Sequence, residues 1–166
     1  NGAIDFNEVS FSYLPGKPIL KQVSFSIKAG EFVAVAGGSG SGKSTLLNLI
    51  PRFYDVDSGS VTIDDTQIKM VTLDSLRKKI GYVGQDHYLF DGTIWENLIY
   101  GDPDATEEEI FSAARKANAH DFIRSLQKGY ETQVGQNGVK LSGGQRQRLS
   151  LARAFLATPR ILLLDE

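Results

Sequence analysis

The sequence predicts an α/β fold, in which a sheet-containing core carries an antiparallel β-hairpin region and an inserted helical subdomain. Near the start of the chain, two runs of alternating apolar and polar residues flank a turn rich in proline and glycine. Two unbroken apolar runs, 32–36 and 161–164, have the length of strands buried on both faces of a sheet. Between those runs, residues 86–157 show mainly helical patterns.

The first half of the chain alternates strands with short helices. A β-hairpin is predicted around "LPGKP" (14–18), because apolar residues alternate with polar ones on both sides of it (Val9, Phe11 and Tyr13, then Val23, Phe25 and Ile27). The run "EFVAVAG" (31–37) predicts a strand buried on both faces, and "STLLNLI" (44–50) predicts a helix that stops at Pro51. A strand over 60–64, one or two helical turns over 73–79 and a strand over 80–84 are predicted to follow.

The second half of the chain is predicted to be mainly helical. Helices are expected over 93–100, 106–118 and 120–129, the second of them capped by Thr106 with acidic residues in its first turn. A longer helix begins after Ser142, and "RILLLDE" (160–166) returns to a buried strand. We therefore expect a core made of residues 1–85 and 158–166, and a helical subdomain made of residues 86–157.

Composition excludes several classes of function. The chain has 166 residues, a net charge of −2 and no cysteine, so disulfides, thiolate metal sites and cysteine nucleophiles are excluded. It has no basic excess of the kind that binds nucleic acid. No apolar run approaches the roughly 18 residues that a membrane span needs. Because the chain lacks an initiator Met and stops directly after a strand and two acids, we expect it to be a piece of a longer polypeptide.

A glycine-rich loop carries the first chemical signal. "GGSGSGKS" (37–44) matches the pattern G-x-x-x-x-G-K-[ST] of a phosphate-binding loop, and it lies between a predicted buried strand and a predicted helix. Glycines let such a loop curl so that successive N–H groups point at phosphate oxygens. Lys43 can then reach the β- and γ-phosphates, and the Ser44 hydroxyl can ligate Mg²⁺. The alternative is a Gly/Ser linker that happens to contain a lysine.

The end of the last predicted strand carries the second signal. "ILLLDE" (161–166) places two carboxylates directly after a buried strand. In phosphate-loop enzymes an acid at this position helps to hold Mg²⁺, and a neighbouring acid can deprotonate an attacking water. We expect Asp165 to be the metal-side acid and Glu166 the candidate base. Without the glycine loop in the same chain, a purely structural role would be an equal alternative.

The start of the long helix carries the third signal. "LSGGQ" (141–145) combines a serine at the N-cap with two glycines in the first turn, which leaves the first backbone N–H groups approachable. The helix dipole favours negative charge at such an end. By itself this pattern could be a helix cap and nothing more. With the loop at 37–44, however, the domain has two predicted anion-binding helix ends.

Together, the three motifs make the chain resemble the nucleotide-binding domain of an ATP-binding-cassette (ABC) transporter. "GGSGSGKST" resembles the Walker A motif of that family, "LSGGQ" its signature and "ILLLDE" its Walker B motif. The resemblance covers nearly the whole chain and implies a P-loop NTPase core of the ABC ATPase type. It also implies a head-to-tail dimer in which ATP is held between the Walker motifs of one subunit and the signature helix of the other. The two anion-binding helix ends would then serve two different ATP molecules.

The resemblance implies specific roles for site residues. Lys43, Gln85 and Glu166 would be catalytic, and Ser44, Gln85 and Asp165 would hold Mg²⁺. The nucleotide would be bound by an aromatic that stacks on adenine, by the Walker A loop, by the glutamine after the strand at 80–84 and by the signature (Tyr13; Gly37, Gly38, Ser39, Gly40, Ser41, Gly42, Lys43, Ser44 and Thr45; Gln85; Ser142, Gly143, Gly144 and Gln145). Packing on the hairpin is the alternative for Tyr13, and an ordinary surface position is the alternative for Gln85.

Further likenesses favour the exporter branch of that family. "TQVGQNG" (132–138) resembles the T-x-V-G-x-x-G loop that precedes the signature in exporters, although composition alone makes it merely a turn. The segment 76–98 also resembles bacterial half-transporters, and its aromatics Tyr88, Phe90 and Trp95 either face a membrane domain or belong to the core. The implied partners are a second nucleotide-binding domain and a transmembrane domain fused upstream, with no nucleic acid. The implied location is the cytoplasmic face of a bacterial cell membrane.

Departures and alternatives complete the prediction. Gly84 and Gly38 stand where the family often has other residues, and the chain stops before the family's dimer-contact loop and its γ-phosphate histidine. Neither His87 nor His120 can be that histidine, so we expect this chain to bind nucleotide but to hydrolyse it poorly. A soluble ABC ATPase acting on DNA or ribosomes is the main alternative. A GTPase is disfavoured because no N-K-x-D stretch occurs and "LSGGQ" would be unexplained.

Overall fold

The computed structural model describes residues 1–165 and divides the chain into two compact units, Asn1–Ile80 and a second that begins at Gly81. Mixed strands and helices bear out the predicted α/β class. The first unit contains β1 (Ile4–Phe11), β2 (Leu20–Ile27), α1 (Lys43–Leu49), β3 (Ser58–Ile63), β4 (Thr66–Gln67) and α2 (Leu73–Arg77). The second contains α3 (Ile94–Ile99), α4 (Glu107–Lys116), α5 (His120–Ser125), α6 (Gly143–Leu156) and β6 (Ile161–Leu164), and β5 (Ile80–Val83) begins at the boundary.

The sheet of the first unit confirms the predicted hairpin. Its strands lie in the order β2-β1-β3-β4 with antiparallel pairing throughout. Phe6 of β1 lies opposite Phe25 of β2, and their rings stack with centroids 4.6 Å apart. On the other side Phe6 lies opposite Val61 of β3, so one face of the sheet is apolar across three strands.

The helix after the glycine loop also forms as predicted. Helix α1 spans Lys43–Leu49 and ends with its capping residue Ile50, directly before Pro51. Leu46, Leu49 and the capping residue Ile50 are buried, which anchors the helix by its apolar side. The N-terminal end of α1 is therefore held in place while the loop that precedes it lies at the surface.

The predicted strand over 31–37 is wrong. This segment has no strand hydrogen bonding, every residue from 31 to 40 is exposed, and the Phe32 side chain is 93% exposed. An apolar run becomes a doubly buried strand only where neighbouring strands pair with its backbone and helices cover its faces. The described part of the chain has one sheet made of β1, β2, β3 and β4 and another made of β5 and β6. Neither sheet includes residues 31–37.

The core of the second unit is formed by helices. Helix α6 packs against α3 and α4, and the apolar side chains between them are almost fully buried, including Ile94, Leu98, Ile110 and Leu149. Three of these helices begin with a capping box, in which the N-cap hydroxyl and the glutamate or glutamine three residues later exchange hydrogen bonds (Thr93 with Glu96, Thr106 with Glu109, Ser142 with Gln145). The predicted starts of α4 and α6 are therefore confirmed.

The other predictions for the second unit are partly correct. The helix expected over 120–129 ends at Ser125 and is followed by a short 3-10 turn at Gly129–Glu131. Strand β6 forms where expected and pairs with β5, but it is buried on one face only, because Leu162 and Leu164 are 37% and 45% exposed. Among residues 1–165, no helix has the length and apolar character required to cross a bilayer.

Candidate functional site

The glycine loop at 37–42 takes a conformation that depends on its glycines. Gly40 and Gly42 have φ angles of +76° and +93°, in the left-handed region that other residues rarely adopt. Gly42 is also the N-cap of α1, and a Cβ atom added to it would lie 3.1 Å from Leu20 and 3.2 Å from Ile19. A Cβ atom added to Gly37 would lie 2.7 Å from the hydroxyl of Ser41. Backbone conformation therefore favours glycine at Gly40 and Gly42, and close packing adds to that preference at Gly42.

Lys43, which follows the loop, is hydrogen-bonded back to the start of the loop. Its ammonium group donates hydrogen bonds to the carbonyl oxygens of Gly37 and Gly38, at 2.8 and 2.9 Å. The lysine charge is thus held over the curled backbone, next to the start of α1, where the helix dipole adds positive potential. Ser39, Ser41 and Ser44 are exposed, and Thr45 is buried at the first turn of the helix. This arrangement can bind a polyanion at the surface of the first unit.

Tyr13 lies beside the same helix start. Its hydroxyl donates a hydrogen bond to Oγ1 of Thr45 at 3.2 Å, although the two residues are 32 positions apart in sequence. Edge contacts with Tyr54 and Phe11, at centroid distances of 5.0 and 4.9 Å, hold the ring, and the residue remains 44% exposed. The structure therefore brings an accessible aromatic ring together with the glycine loop. Tyr54 was missed in the sequence, because nothing local marks it as a partner of Tyr13.

The signature stretch forms an exposed helix start. The backbone N–H of Gln145 donates to Oγ of Ser142 at 3.2 Å, and the N–H of Ser142 donates to Oε1 of Gln145 at 2.9 Å. The side chain of Gln145 is therefore used within the cap itself. Ser142, Gly143 and Gly144 are all exposed.

Neither backbone conformation nor packing within the chain requires glycine at Gly143 or Gly144. Both have ordinary helical backbone conformation, since neither is among the residues of positive φ. A Cβ atom added to Gly144 would meet no atom within 4 Å, and one added to Gly143 would meet only the Arg146 side chain, at 3.9 Å. Open space is therefore kept above this helix start, at a position where alanine would favour the helix.

Gln85 and Asp165 follow the ends of the two paired strands of the second unit. Gln85 is exposed two residues beyond β5, and Asp165 comes directly after β6 and is partly exposed. The backbone N–H of Asp165 donates to the carbonyl of Val83 at 2.9 Å, which joins the two strand ends. Glu166, the predicted base, lies outside the described residues.

The chemistry of the predicted donors suits Mg²⁺. A serine hydroxyl, a glutamine amide and an aspartate carboxylate are hard oxygen ligands, and Mg²⁺ usually combines one or two carboxylates with water and substrate phosphates. Within residues 1–165, no group of three or more His, Asp or Glu side chains is placed to hold a metal ion by itself. Each of these donor types suits Mg²⁺ that is also bound by phosphate oxygens.

The aromatics after Gln85 divide into two groups. Tyr88 and Phe90 are 53% and 39% exposed, and the Phe90 ring packs on Tyr100 with centroids 4.6 Å apart. Trp95 instead packs on Phe111 and Tyr130 beside the helical core. The first group forms a surface aromatic cluster, whereas Trp95 has a packing role.

Asn97 is a further residue that the sequence did not single out. It is 2% exposed, accepts a hydrogen bond from Phe90 N–H at 2.8 Å, and donates to the carbonyls of Phe90 and Thr93 at 3.0 and 2.9 Å. One amide side chain thereby holds the loop that carries the surface aromatics. Its position on the buried face of α3 was the only signal in the sequence, and a polar residue on such a face requires hydrogen-bond partners.

Comparison with known proteins gives consistent results. The model of the ABC transporter family matches residues 20–166. A protein of Staphylococcus aureus strain NCTC 8325, with the provisional name multidrug export ATP-binding/permease protein, is 58% identical over 166 residues, which are 99% of this chain and 29% of that protein. Its counterpart in the bovine strain RF122 / ET3-1 is 57% identical over the same shares.

A solved structure gives the same assignment. The structure of a bacterial Atm1-family ABC exporter with ATP bound superimposes with a TM-score of 0.97 and 45% sequence identity. The match covers 99% of this chain and 29% of that one. The chain thus spans less than a third of the length of the relatives that it matches.

Proposed function

The chain belongs to the ABC transporter family, and we propose that it is the ATP-binding and ATP-hydrolysing motor domain of a membrane exporter. In this proposal it works as a head-to-tail dimer, with ATP between the Walker motifs of one subunit and the signature helix of the other. The observation that carries the proposal is the open space above Gly143 and Gly144. The subunit's own packing does not require glycine at these positions, but glycine leaves the helix start accessible. This is expected if a group from outside the subunit approaches the helix start.

The glycine loop binds the phosphates of ATP. Backbone N–H groups at the start of α1 and the Lys43 ammonium offer charge-assisted hydrogen bonds, each contributing about 1.5–3 kcal/mol. The two carbonyls that now accept from Lys43 keep the ammonium near the position that the phosphates would take. Tyr13 stacks on adenine, and its hydrogen bond to Thr45 supports this role because it fixes the ring beside the loop.

Hydrolysis uses residues that follow the two strands of the second unit. Ser44, Gln85 and Asp165 would hold Mg²⁺ by oxygen atoms, and Mg²⁺ would supply positive charge beside the β- and γ-phosphates. Glu166 accepts a proton from water as the water oxygen attacks the γ-phosphorus, and ADP leaves with the oxygen that bridged the two phosphates. Lys43 stabilises the charge that develops on that bridge.

The proposed subdomains, partner and location follow from the same assignment. Residues 1–85 and 158–166 form the ATP-binding core, and residues 86–157 form the helical and signature subdomain. A transmembrane domain, fused upstream in the longer protein, contacts the surface aromatic cluster, and the domain works at the cytoplasmic face of the membrane. The relatives named above are exporters, which gives no support to a soluble ATPase that acts on DNA or ribosomes.

The test replaces Gly144 by leucine. Because a Cβ atom at Gly144 would meet no atom within 4 Å and the position is exposed, the subunit should fold and bind Mg²⁺-ATP as the wild type does. The leucine should nevertheless block the approach of a partner's nucleotide, so ATP-induced association in sedimentation experiments should be lost. Equal association of both proteins, or no ATP-induced association of the wild type, would contradict the dimer arrangement. Loss of ATP binding by Gly144→Leu would instead mean that the signature serves the nucleotide of its own subunit.

A further inference from the structure

A cavity in the helical unit includes none of the residues assigned to ATP. Its volume is about 410 Å³, within the usual range for small-molecule sites. It opens between α4, α5 and the turn that follows α5. Its lining combines aromatic and apolar side chains with two arginines, a glutamine and a glycine.

Helical spacing explains how these side chains come to share one cavity. Phe111 and Arg115 are four residues apart on α4, and His120 and Arg124 are four residues apart on α5. Residues at this spacing lie on the same face of a helix. Each helix therefore presents one ring and one guanidinium group to the cavity, and Tyr130 from the following turn completes the lining.

The rings form one connected cluster. The centroid of the Phe111 ring lies 4.9 Å from that of Tyr130 and 5.5 Å from that of His120. The Tyr130 hydroxyl is hydrogen-bonded to Nδ1 of His120 at 2.8 Å. Burial raises the pKa of Tyr130 to about 12, while the charges of Arg115 and Arg124 act in the opposite direction. Tyr130 is therefore neutral at physiological pH, and its ring offers a flat surface for a planar group.

The arginines supply the positive charge. Both guanidinium groups are close enough to the Tyr130 phenol to act on its pKa. Arg115 pairs with Glu108 at 2.6 Å, with both side chains substantially exposed, so this charge is partly compensated. Arg124 is also exposed. The cavity thus combines an aromatic surface with a net positive edge.

We propose that this cavity binds a small organic anion that has one aromatic ring and one acidic group, either a carboxylate or a phosphate. The ring of the ligand packs on Phe111 and Tyr130, and its acidic group accepts hydrogen bonds from Arg124 and Arg115. Planar guanidinium groups suit both carboxylate and phosphate because they donate in a bidentate manner. Neither part of such a ligand would bind well alone, since one lacks the charge and the other lacks the ring.

The test is a titration with phenyl phosphate, followed by the fluorescence of Trp95. This is the single tryptophan of the chain, and its ring centroid lies 6.2 Å from that of Tyr130. We expect saturable binding, and much weaker responses to phenol and to inorganic phosphate. Arg124→Gln should weaken binding at least about tenfold, which corresponds to one charge-assisted hydrogen bond. Titration with benzoate distinguishes a carboxylate ligand from a phosphate ligand.

Two controls separate this site from the alternatives. Lys116→Gln removes one charge from the same helix as Arg115, at an exposed position that does not line the cavity, and should bind like the wild type. Lys43→Ala should also bind like the wild type, because the glycine loop takes no part. The proposal would be overturned if the wild type gave no saturable response to either phenyl phosphate or benzoate, if Arg124→Gln matched Lys116→Gln, or if Lys43→Ala abolished the response. Failure of ATP to bind would leave the result of this titration unaffected.

Discussion

Replacing Gly143 and Gly144 together by alanine is expected to stabilise the helical unit while it weakens ATP-dependent association. Each glycine in a helix costs about 0.5–1 kcal/mol relative to alanine. Both positions have helical backbone and no atom closer than 3.9 Å to an added Cβ, so no clash offsets the gain. Because both lie in the first turn, we take the lower value for each and expect about 1 kcal/mol in total.

The gain in stability can be measured through Trp95. Urea and thermal unfolding followed by its fluorescence report on the helical core, against which this residue packs. For a protein of this size, about 1 kcal/mol corresponds to a rise in Tm of roughly 2–4 °C. The same variant should associate less readily in Mg²⁺-ATP, since two methyl groups fill the space that the proposal reserves for a partner's γ-phosphate.

Gly101→Ala provides the matched control. A Cβ atom at Gly101 would clash with the backbone oxygen of Arg153, so the same substitution should destabilise the unit. The reasoning would be refuted if the double variant were less stable than the wild type, because the space above the helix would then not be open. Unchanged association together with increased stability would refute the functional explanation of the two glycines.

Three other predictions concern single side chains. Tyr13→Leu should weaken ATP binding about tenfold through loss of stacking. Tyr13→Phe should lose only the hydrogen bond to Thr45 and bind nearly as the wild type does. Equal ATP affinities of Tyr13→Leu and Tyr13→Phe in calorimetry would exclude stacking. Asn97→Ala should lower the free energy of unfolding by about 2–3 kcal/mol, because it removes two partly buried hydrogen bonds to the backbone of Phe90 and a buried one to the carbonyl of Thr93; a change below about 1 kcal/mol in urea unfolding would contradict this. Hydrogen bonds from the backbone and then the side chain of Thr106 lower the pKa of Glu109 from its ordinary value, so its contribution to stability is present above the pKa of an unfolded glutamate and is lost as the pH falls through the lowered pKa. The stability difference between wild type and Glu109→Gln should therefore shrink in acid, and a constant difference would argue against this capping role.

Local signals in the sequence account for most of the elements that formed as predicted. The hairpin depends on alternation and a proline–glycine turn, and the starts of α4 and α6 depend on capping residues within four positions of one another. The phosphate loop is equally local, because left-handed conformations at Gly40 and Gly42 are available to glycine almost alone. In each of these elements, the residues that determine the local structure lie within a few positions of one another in the sequence.

The predictions that failed depend on distant parts of the chain. Residues 31–37 have the composition of a buried strand, but burial is decided by the strands and helices that cover a segment, which its own residues do not specify. The same reasoning applies to β6, whose exposed face carries Leu162 and Leu164. Side-chain partnerships such as Tyr13 with Tyr54 join residues far apart in sequence, and no local pattern indicates them.

The most direct test of the central claim is a calorimetric titration of the chain with Mg²⁺-ATP, comparing wild type, Lys43→Ala and Lys79→Ala. Lys79 is an exposed lysine of the first unit outside the glycine loop, so its loss matches the charge change without touching the proposed site. We predict saturable binding by the wild type and by Lys79→Ala, with binding reduced below detection in Lys43→Ala. Equal binding by all three proteins, or no binding by the folded wild type, would contradict the assignment of this loop as the ATP site.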